Sequence, residues 1–117
     1  MKNLPLIIIC IFLFFFLKKR FFDSTDYTAM LENGGVIIDV RSEAEFFSGN
    51  IEGSLNIPLN SMSDNISKLK DKEQHIITCC ASGVRSGAAK QLLKAKGYNN
   101  VVNGGGWNSL NKKLKRK

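Results

Sequence analysis

A chain of 117 residues, 44% hydrophobic and 23% charged, is long enough for one folded domain and too short for two of ordinary size. The net charge of +7 does not mark a nucleic-acid binder, because residues 21–111 hold eight basic and ten acidic side chains and the remaining +9 sits at the two ends. Three cysteines (Cys10, Cys79 and Cys80) and one histidine, with no Cys-x2-Cys spacing, argue against a disulfide framework or a metal centre and fit a reducing compartment or a reactive thiol.

In chain order, "LPLIIICIFLFFFL" at 4–17 carries no charge, and Lys18-Lys19-Arg20 follows at once. As a helix this run would rise about 21 Å, short of the roughly 30 Å hydrocarbon core. Snorkelling lysines and local thinning make a short membrane anchor feasible. The alternative is a cleaved signal, which the lack of Ala-x-Ala-like small residues disfavours. Basic flanks predict a single-pass anchor with the following domain in the cytoplasm, or, failing that, an exported one. The expected organisation is a hydrophobic anchor or signal segment at 1–22, a domain at 23–111 and a basic tail at 112–117 suited to anionic lipid headgroups.

"DSTDYTAMLENGG" reads as a short helix: Ser24 or Thr25 can cap it, Asp26 suits its positive end and Asn33-Gly34 stops it. "VIIDV" at 36–40 is a β-branched run too short for a helix, hence a buried strand. "RSEAEFFSG" carries Ser42-x-x-Glu45, a capping box, with Gly49 as the stop. "GSLNIPLN" is a short extended piece broken by Pro58, and "SMSDNISKLKDK" at 61–72 sets Met62, Ile66 and Leu69 at helical spacing. "HIITC" predicts a strand ending at Cys79, and "SGAAKQLLKAKG" a helix closed by Gly97. "NNVVNGGG" then reads as a last strand running into a glycine turn, and "WNSLNKKLK" as a terminal helix. This alternation predicts an α/β fold, a parallel sheet with helices on both faces, preceded by a short hydrophobic helix. Such sheets bind ligands at the C-terminal ends of their strands, where the twin cysteines fall.

The chemistry concentrates in "CCASGVRSG" at 79–87. Counted from Cys79 the spacing to Arg85 is Cys-x5-Arg, which suits phosphatases working through a cysteinyl phosphate; from Cys80 it is Cys-x4-Arg, a tighter loop used for sulfur transfer. A thiol attacks only as thiolate, so its surroundings must favour negative charge. A strand, a tight turn containing Ser82 and Gly83, and a helix beginning near Arg85-Ser86 supply inward backbone N–H groups and a helix positive end. Arg85 can brace the loop or bear on a bound anion. Alternation along the strand puts Ile77 with Cys79 on one face, which leaves Cys80 to the turn.

Two motifs in this order, "DVRSEAEFFSGNIEGSLNIPL" at 39–59 and "CCASGVRSGAA" at 79–89, then "GGGW" at 104–107, resemble a single-domain rhodanese from about residue 25 to Trp107. The resemblance implies that Cys80 is catalytic and that Ala81, Ser82, Gly83, Val84, Arg85 and Ser86 form the loop that holds its substrate. It also implies Asp39 and Arg41 as bracing residues. The implied reaction moves sulfane sulfur from a small sulfur-containing donor, thiosulfate or a persulfide, to a thiol acceptor, with cyanide as acceptor in a test tube. A persulfide on Cys80 is the intermediate, and no metal, organic cofactor or nucleic acid takes part. Asn50 stands where the family often has histidine. Ala81 and Val84 are uncharged where some family loops are basic, so weak thiosulfate affinity and a preference for persulfide donors are expected. A phosphatase or arsenate-reductase activity and a non-catalytic binding module are the alternatives.

Overall fold

A computed structural model of the protein describes residues 8–14 and 26–114. The second stretch folds as α1 (Tyr27–Glu32), β1 (Val36–Asp39), α2 (Glu43–Ser48), β2 (Leu55–Asn56), α3 (Met62–Asn65), β3 (Ile76–Cys80), α4 (Val84–Ala95), β4 (Val101–Gly106) and α5 (Trp107–Leu114). The strands form one parallel sheet in the order β2-β1-β3-β4. Crossover helices cover both faces, as buried parallel strands require.

Strand alternation sorts the core into two layers. On one side Ile38, Val40, Ile76, Cys80 and Val101 pack under Ala89 and Leu93 of α4 and under Met62 and Leu69. On the other, Ile37, Ile77 and Cys79 meet Leu110 of α5, with Tyr27, Met30 and Leu31 of α1 closing the layer. Gly104 admits this closeness: a Cβ there would stand 2.8 Å from Ile77 Cγ2 and 2.9 Å from Leu110 Cδ2. The pairing of β3 with β4 slips once, between Thr78 and Cys80.

Several expectations need correction. The cap of α1 is Asp26, whose carboxylate accepts from the Ala29 N–H at 3.0 Å; Ser24 and Thr25 lie outside the described residues. The single helix expected over 61–72 is instead α3 between two 3-10 turns, Leu59–Ser61 and Ile66–Lys68. The Tyr98 hydroxyl takes the carbonyls of Ile66 and Leu69, and Asn65 Nδ2 takes that of Ser61, a local competition that disfavours a regular helix. β3 runs one residue further than expected, so Cys80 is its last residue and not part of the turn. α5 runs over Trp107–Leu114, as "WNSLNKKLK" predicts; Lys112 and Lys113 sit in its last turn, where cations suit the helix dipole, and Lys113 lies 5.7 Å from the Tyr27 ring centroid.

The membrane anchor expected over 1–22, and with it the placement of the chain as a membrane-anchored protein, is not upheld. Among the described residues no helix is long and apolar enough to cross a membrane. Residues 8–14 are helical, a rise of about 10 Å against the roughly 30 Å required, and the rest of that segment lies outside the described residues.

Candidate active site

β3 ends in two cysteines that point to opposite faces of the sheet, and their surroundings separate them. Cys79 faces the α1/α5 layer, where burial, then the charge of Asp39, pushes its thiol up to about 12. Cys80 faces the opposite layer at the C-terminal edge of the sheet. After it the chain turns through Ala81 and Ser82 to Gly83, whose φ of 99° is left-handed, and α4 begins at Val84. Glycine is needed there twice over, for that φ and because a Cβ would come within 3.3 Å of Gly105 Cα.

The turn closes on the sulfur. Cys80 Sγ accepts the Gly83 N–H at 2.9 Å and the Ser86 N–H at 3.4 Å, and Ser86 Oγ stands 3.4 Å away. Burial alone would push this thiol up; the Ser86 hydroxyl and the N–H groups of Ser86, Ser82 and Gly83 outweigh it and hold Cys80 below its ordinary range. The positive end of the twelve-residue α4 acts in the same sense. The Thr78 hydroxyl donates to the Ser86 carbonyl at 2.9 Å and pins the start of α4 to the strand.

Arg85 gives its hydrogen bonds to Glu45 and meets Cys80 only through the field of its charge. Its guanidinium forks onto Glu45, Nη1 to Oε1 at 2.7 Å and Nη2 to Oε2 at 2.9 Å. Arg85, with help from the Ser42 N–H, holds the Glu45 carboxyl down to about 2. Glu45 reaches that position from the N-terminal capping box of α2, in which it accepts the Ser42 N–H while Ser42 Oγ accepts the Glu45 N–H. Ala81 and Val84 bring no charge, and Val84 is exposed. A cleft of about 340 Å³ opens beside this pair, lined by Val40, Ser42, Pro58, Leu59, Asn60 and Arg85.

Asp39 and Arg41 lie under the same edge of the sheet as a buried pair. Arg41 Nε meets both carboxylate oxygens at 2.9 and 3.0 Å, and Nη2 meets Oδ2 at 2.6 Å. Arg41 also donates to the carbonyls of Gly49 at 2.7 Å and Glu45 at 3.2 Å, and stacks 4.7 Å from the Trp107 ring centroid. The pair thus fixes the far end of α2. Asn50 supports the same turn by donating to the Phe46 carbonyl at 2.9 Å.

Of the residues singled out from sequence, Ser82, Gly83 and Ser86 close on the Cys80 sulfur, Ala81 and Val84 are exposed, Arg85 turns to Glu45, and Asp39 and Arg41 stand behind them. Asn103 went unnoticed. From β4 it donates to the Gly83 carbonyl at 3.0 Å and its Oδ1 lies 2.6 Å from Ser86 Oγ. An asparagine interrupting a valine run in a strand, where asparagine is depleted, was the available signal.

Comparison with known proteins agrees with this geometry. The family model described as a rhodanese-like domain matches residues 23–113. Over 70 residues the chain is 36% identical to the Escherichia coli (strain K12) thiosulfate sulfurtransferase PspE, covering 59% of this chain and 67% of that protein. A tRNA uridine(34) hydroxylase of Buchnera aphidicola is 29% identical over 87 residues, which cover 69% of this chain and only 28% of the hydroxylase. Among solved structures, the reduced Bacillus anthracis CoADR-RHD superposes with a TM-score of 0.64 at 35% identity, over 76% of this chain and 16% of that one. By family model and relatives alike, the chain belongs to the rhodanese-like domain family.

Proposed function

We propose that this chain is a sulfurtransferase that moves sulfane sulfur from thiosulfate or a persulfide donor to a thiol acceptor, its working domain spanning residues 23–111 and the rest of α5. The observation that carries the reading is the Cys80 sulfur at the C-terminal edge of the sheet, wrapped by N–H donors that favour its thiolate. The thiolate attacks the outer sulfur of the donor and forms a new S–S bond. The old S–S bond breaks, and its electron pair leaves with sulfite or with the donor thiolate. An acceptor thiolate, or cyanide, then attacks the outer sulfur of the Cys80 persulfide, and the pair of the broken bond restores the Cys80 thiolate. This is covalent catalysis with ping-pong kinetics. The N–H groups of residues 81–86 hold the anionic sulfur as an oxyanion hole holds oxygen.

Asp39 and Arg41 act as braces in this scheme. Arg85 shapes the mouth, and because its charge is forked onto Glu45 the site offers a dianion such as thiosulfate no free cation from residues 81–86. A persulfide on an organic thiol, which can rest its body in the apolar cleft, is the better matched donor. The same engagement disfavours a phosphatase or arsenate-reductase reaction, which asks an arginine to clasp a tetrahedral oxyanion. A non-catalytic binding module has no use for a thiol held below its ordinary range.

The test is intact mass spectrometry of the chain after exposure to thiosulfate or glutathione persulfide. One added sulfur atom that disappears with cyanide is expected. It should persist in Cys79→Ser and be absent in Cys80→Ser. No adduct from either donor would refute the reading, and phosphatase and arsenate assays would then decide between the alternatives.

A further inference from the structure

We propose that Asn103 is a positioning residue for the Cys80 reaction: it directs the hydroxyl hydrogen of Ser86 away from the sulfur and so governs how readily Cys80 gives up its proton. Three contacts lead to this. Asn103 Nδ2 donates to the Gly83 carbonyl at 3.0 Å, and Oδ1 accepts the Gly105 N–H at 2.9 Å. Together they fix which end of the amide is oxygen, because the flipped amide would set NH2 against N–H and oxygen against oxygen. Oδ1 also lies 2.6 Å from Ser86 Oγ. An amide oxygen only accepts, so the single hydrogen of the Ser86 hydroxyl occupies that line.

While Cys80 is a thiol, what Ser86 turns toward its Sγ, 3.4 Å away, is a lone pair, and only after the hydroxyl swings to the thiolate does it help hold Cys80 below its ordinary range. A lone pair suits the thiol, which can donate its S–H, and opposes the thiolate. When Cys80 ionises, the Ser86 hydroxyl must swing from Asn103 to the sulfur. Asn103 Oδ1 keeps the Gly105 N–H during the swing and is not orphaned. Once Cys80 carries a second sulfur, the negative charge moves outward and the hydroxyl returns to Asn103. Asn103 thus competes with the thiolate for one hydrogen bond at the step that generates the nucleophile.

The surroundings leave no substitute. Ser86 is fully buried, and a Cβ on Gly87 would come within 3.2 Å of Asn103 Nδ2, so the amide is hemmed in. Among the described residues, the charged pair whose field reaches Cys80 is Arg85 of α4 forked onto Glu45 of α2, whereas the Asp39–Arg41 pair at the end of β1 acts on Cys79. Residues 81–83 and β4 contribute none, and Asp64 and Lys68, on the segment over the Cys80 layer, are exposed. Cys79 faces the other layer as a neutral thiol. A neutral substitution at Asn103 therefore frees the Ser86 hydroxyl without altering that charge set, while it also gives up the contacts to the Gly83 carbonyl and the Gly105 N–H.

The catalytic meaning of the proposal rests on the sulfur-transfer reading, but its test does not, because alkylation needs no sulfur donor. The measurement is the rate of iodoacetamide labelling at Cys80 against pH in the full chain, resolved from Cys10 by peptide mass and from the adjacent Cys79 by fragment ions that cut between the two cysteines. In Asn103→Val the freed hydroxyl donates to the sulfur, so labelling at pH 7 should rise about threefold, the low end of what a net hydrogen bond contributes. Ser86→Ala should slow labelling more in the Asn103→Val background than in the native one. A purely structural Asn103 predicts slower labelling in Asn103→Val and additive effects, and either result overturns the proposal. Should the valine variant fail to fold, Asn103→Ala frees the same Ser86 hydroxyl without adding charge and should speed labelling at pH 7; unchanged or slower labelling refutes the idea. A chain that labels as expected yet takes up no sulfur would refute the proposed function and leave this inference standing.

Discussion

Replacing Asp39 by asparagine keeps the outline of the side chain and removes its charge, leaving Arg41 cationic with its side chain only 5% exposed. Three short contacts to the carboxylate, at 2.9, 3.0 and 2.6 Å, lose their ionic character. What remains around the guanidinium is the Gly49 carbonyl, the Glu45 carbonyl and the Trp107 face, none of which carries charge. Breaking a buried pair from one side costs about 3–5 kcal/mol, set against a total stability of roughly 5–15 kcal/mol for a domain. At about 4–8 °C per kcal/mol in a domain of this size, even the lower figure lowers Tm by about 12 °C or more. With a urea slope of about 1 kcal/mol per molar, the unfolding midpoint falls by about 3 M. Trp107 is the sole tryptophan and rests on Arg41, so its fluorescence follows the transition, with far-UV circular dichroism as the independent probe. The double variant Asp39→Leu with Arg41→Met removes both charges and should recover part of the loss; the Gly49 and Glu45 carbonyls, deprived of their donor, limit the recovery. A loss under about 1 kcal/mol in Asp39→Asn, or a double variant no better than the single, would refute the reasoning.

Other outcomes follow from the same geometry. Cys80, held below the ordinary thiol range, should label with iodoacetamide at pH 7 faster than free cysteine, whereas Cys79, pushed up to about 12, should stay unlabelled in the folded chain through pH 9. Because the folded chain carries the Cys80 thiolate where the unfolded chain still holds its proton, this group adds stability that is present above the unfolded thiol's value and lost as pH falls through the folded one. Glu45→Gln retains the capping box and frees Arg85, so steady-state kinetics should show a severalfold lower KM for thiosulfate with little change for glutathione persulfide. In the native chain the Glu45 carboxylate contributes stability that is lost as pH falls from about 4.5 to about 2, and an acid titration of Glu45→Gln should lack that component. Gly104→Ala drives a methyl against Ile77, Leu110 and the Thr78 carbonyl, all within 2.9 Å, and should cost about 1–3 kcal/mol in urea unfolding.

Much of the frame is local in origin and therefore legible. Ile37, Ile38, Ile76 and Ile77 are β-branched residues in runs too short for helices, and they form the two central strands. The pattern Ser42-x-x-Glu45 is a self-contained cap, and both of its bonds are present. The rest depends on partners far away in sequence. Spacing could not choose between Arg41 and Arg85 for Glu45, because that choice is made where α2 meets α4, forty residues apart. The break in residues 59–68 comes from Tyr98, about thirty residues downstream, which takes backbone carbonyls that a helix would have used. Asn103 was hidden in the same way: its role exists only because β4 lies beside β3 and the Gly83 turn folds back over it.

The slip between β3 and β4 gives the glycine run a significance beyond flexibility. Thr78 pairs with Asn103 and Cys80 with Gly106, so two steps along β3 are matched by three along β4. The additional residue lets Gly105, at a φ of 82°, turn its N–H back to the Asn103 side chain rather than across the sheet. Removing one glycine would leave the composition almost unchanged, yet in a strand a shift of one residue sends each side chain to the opposite face. The separation between Asn103 and Trp107 therefore works as a measured length: substitutions within it are matters of degree, whereas an insertion or deletion would uncouple the Cys80 loop from the helix that closes the sheet.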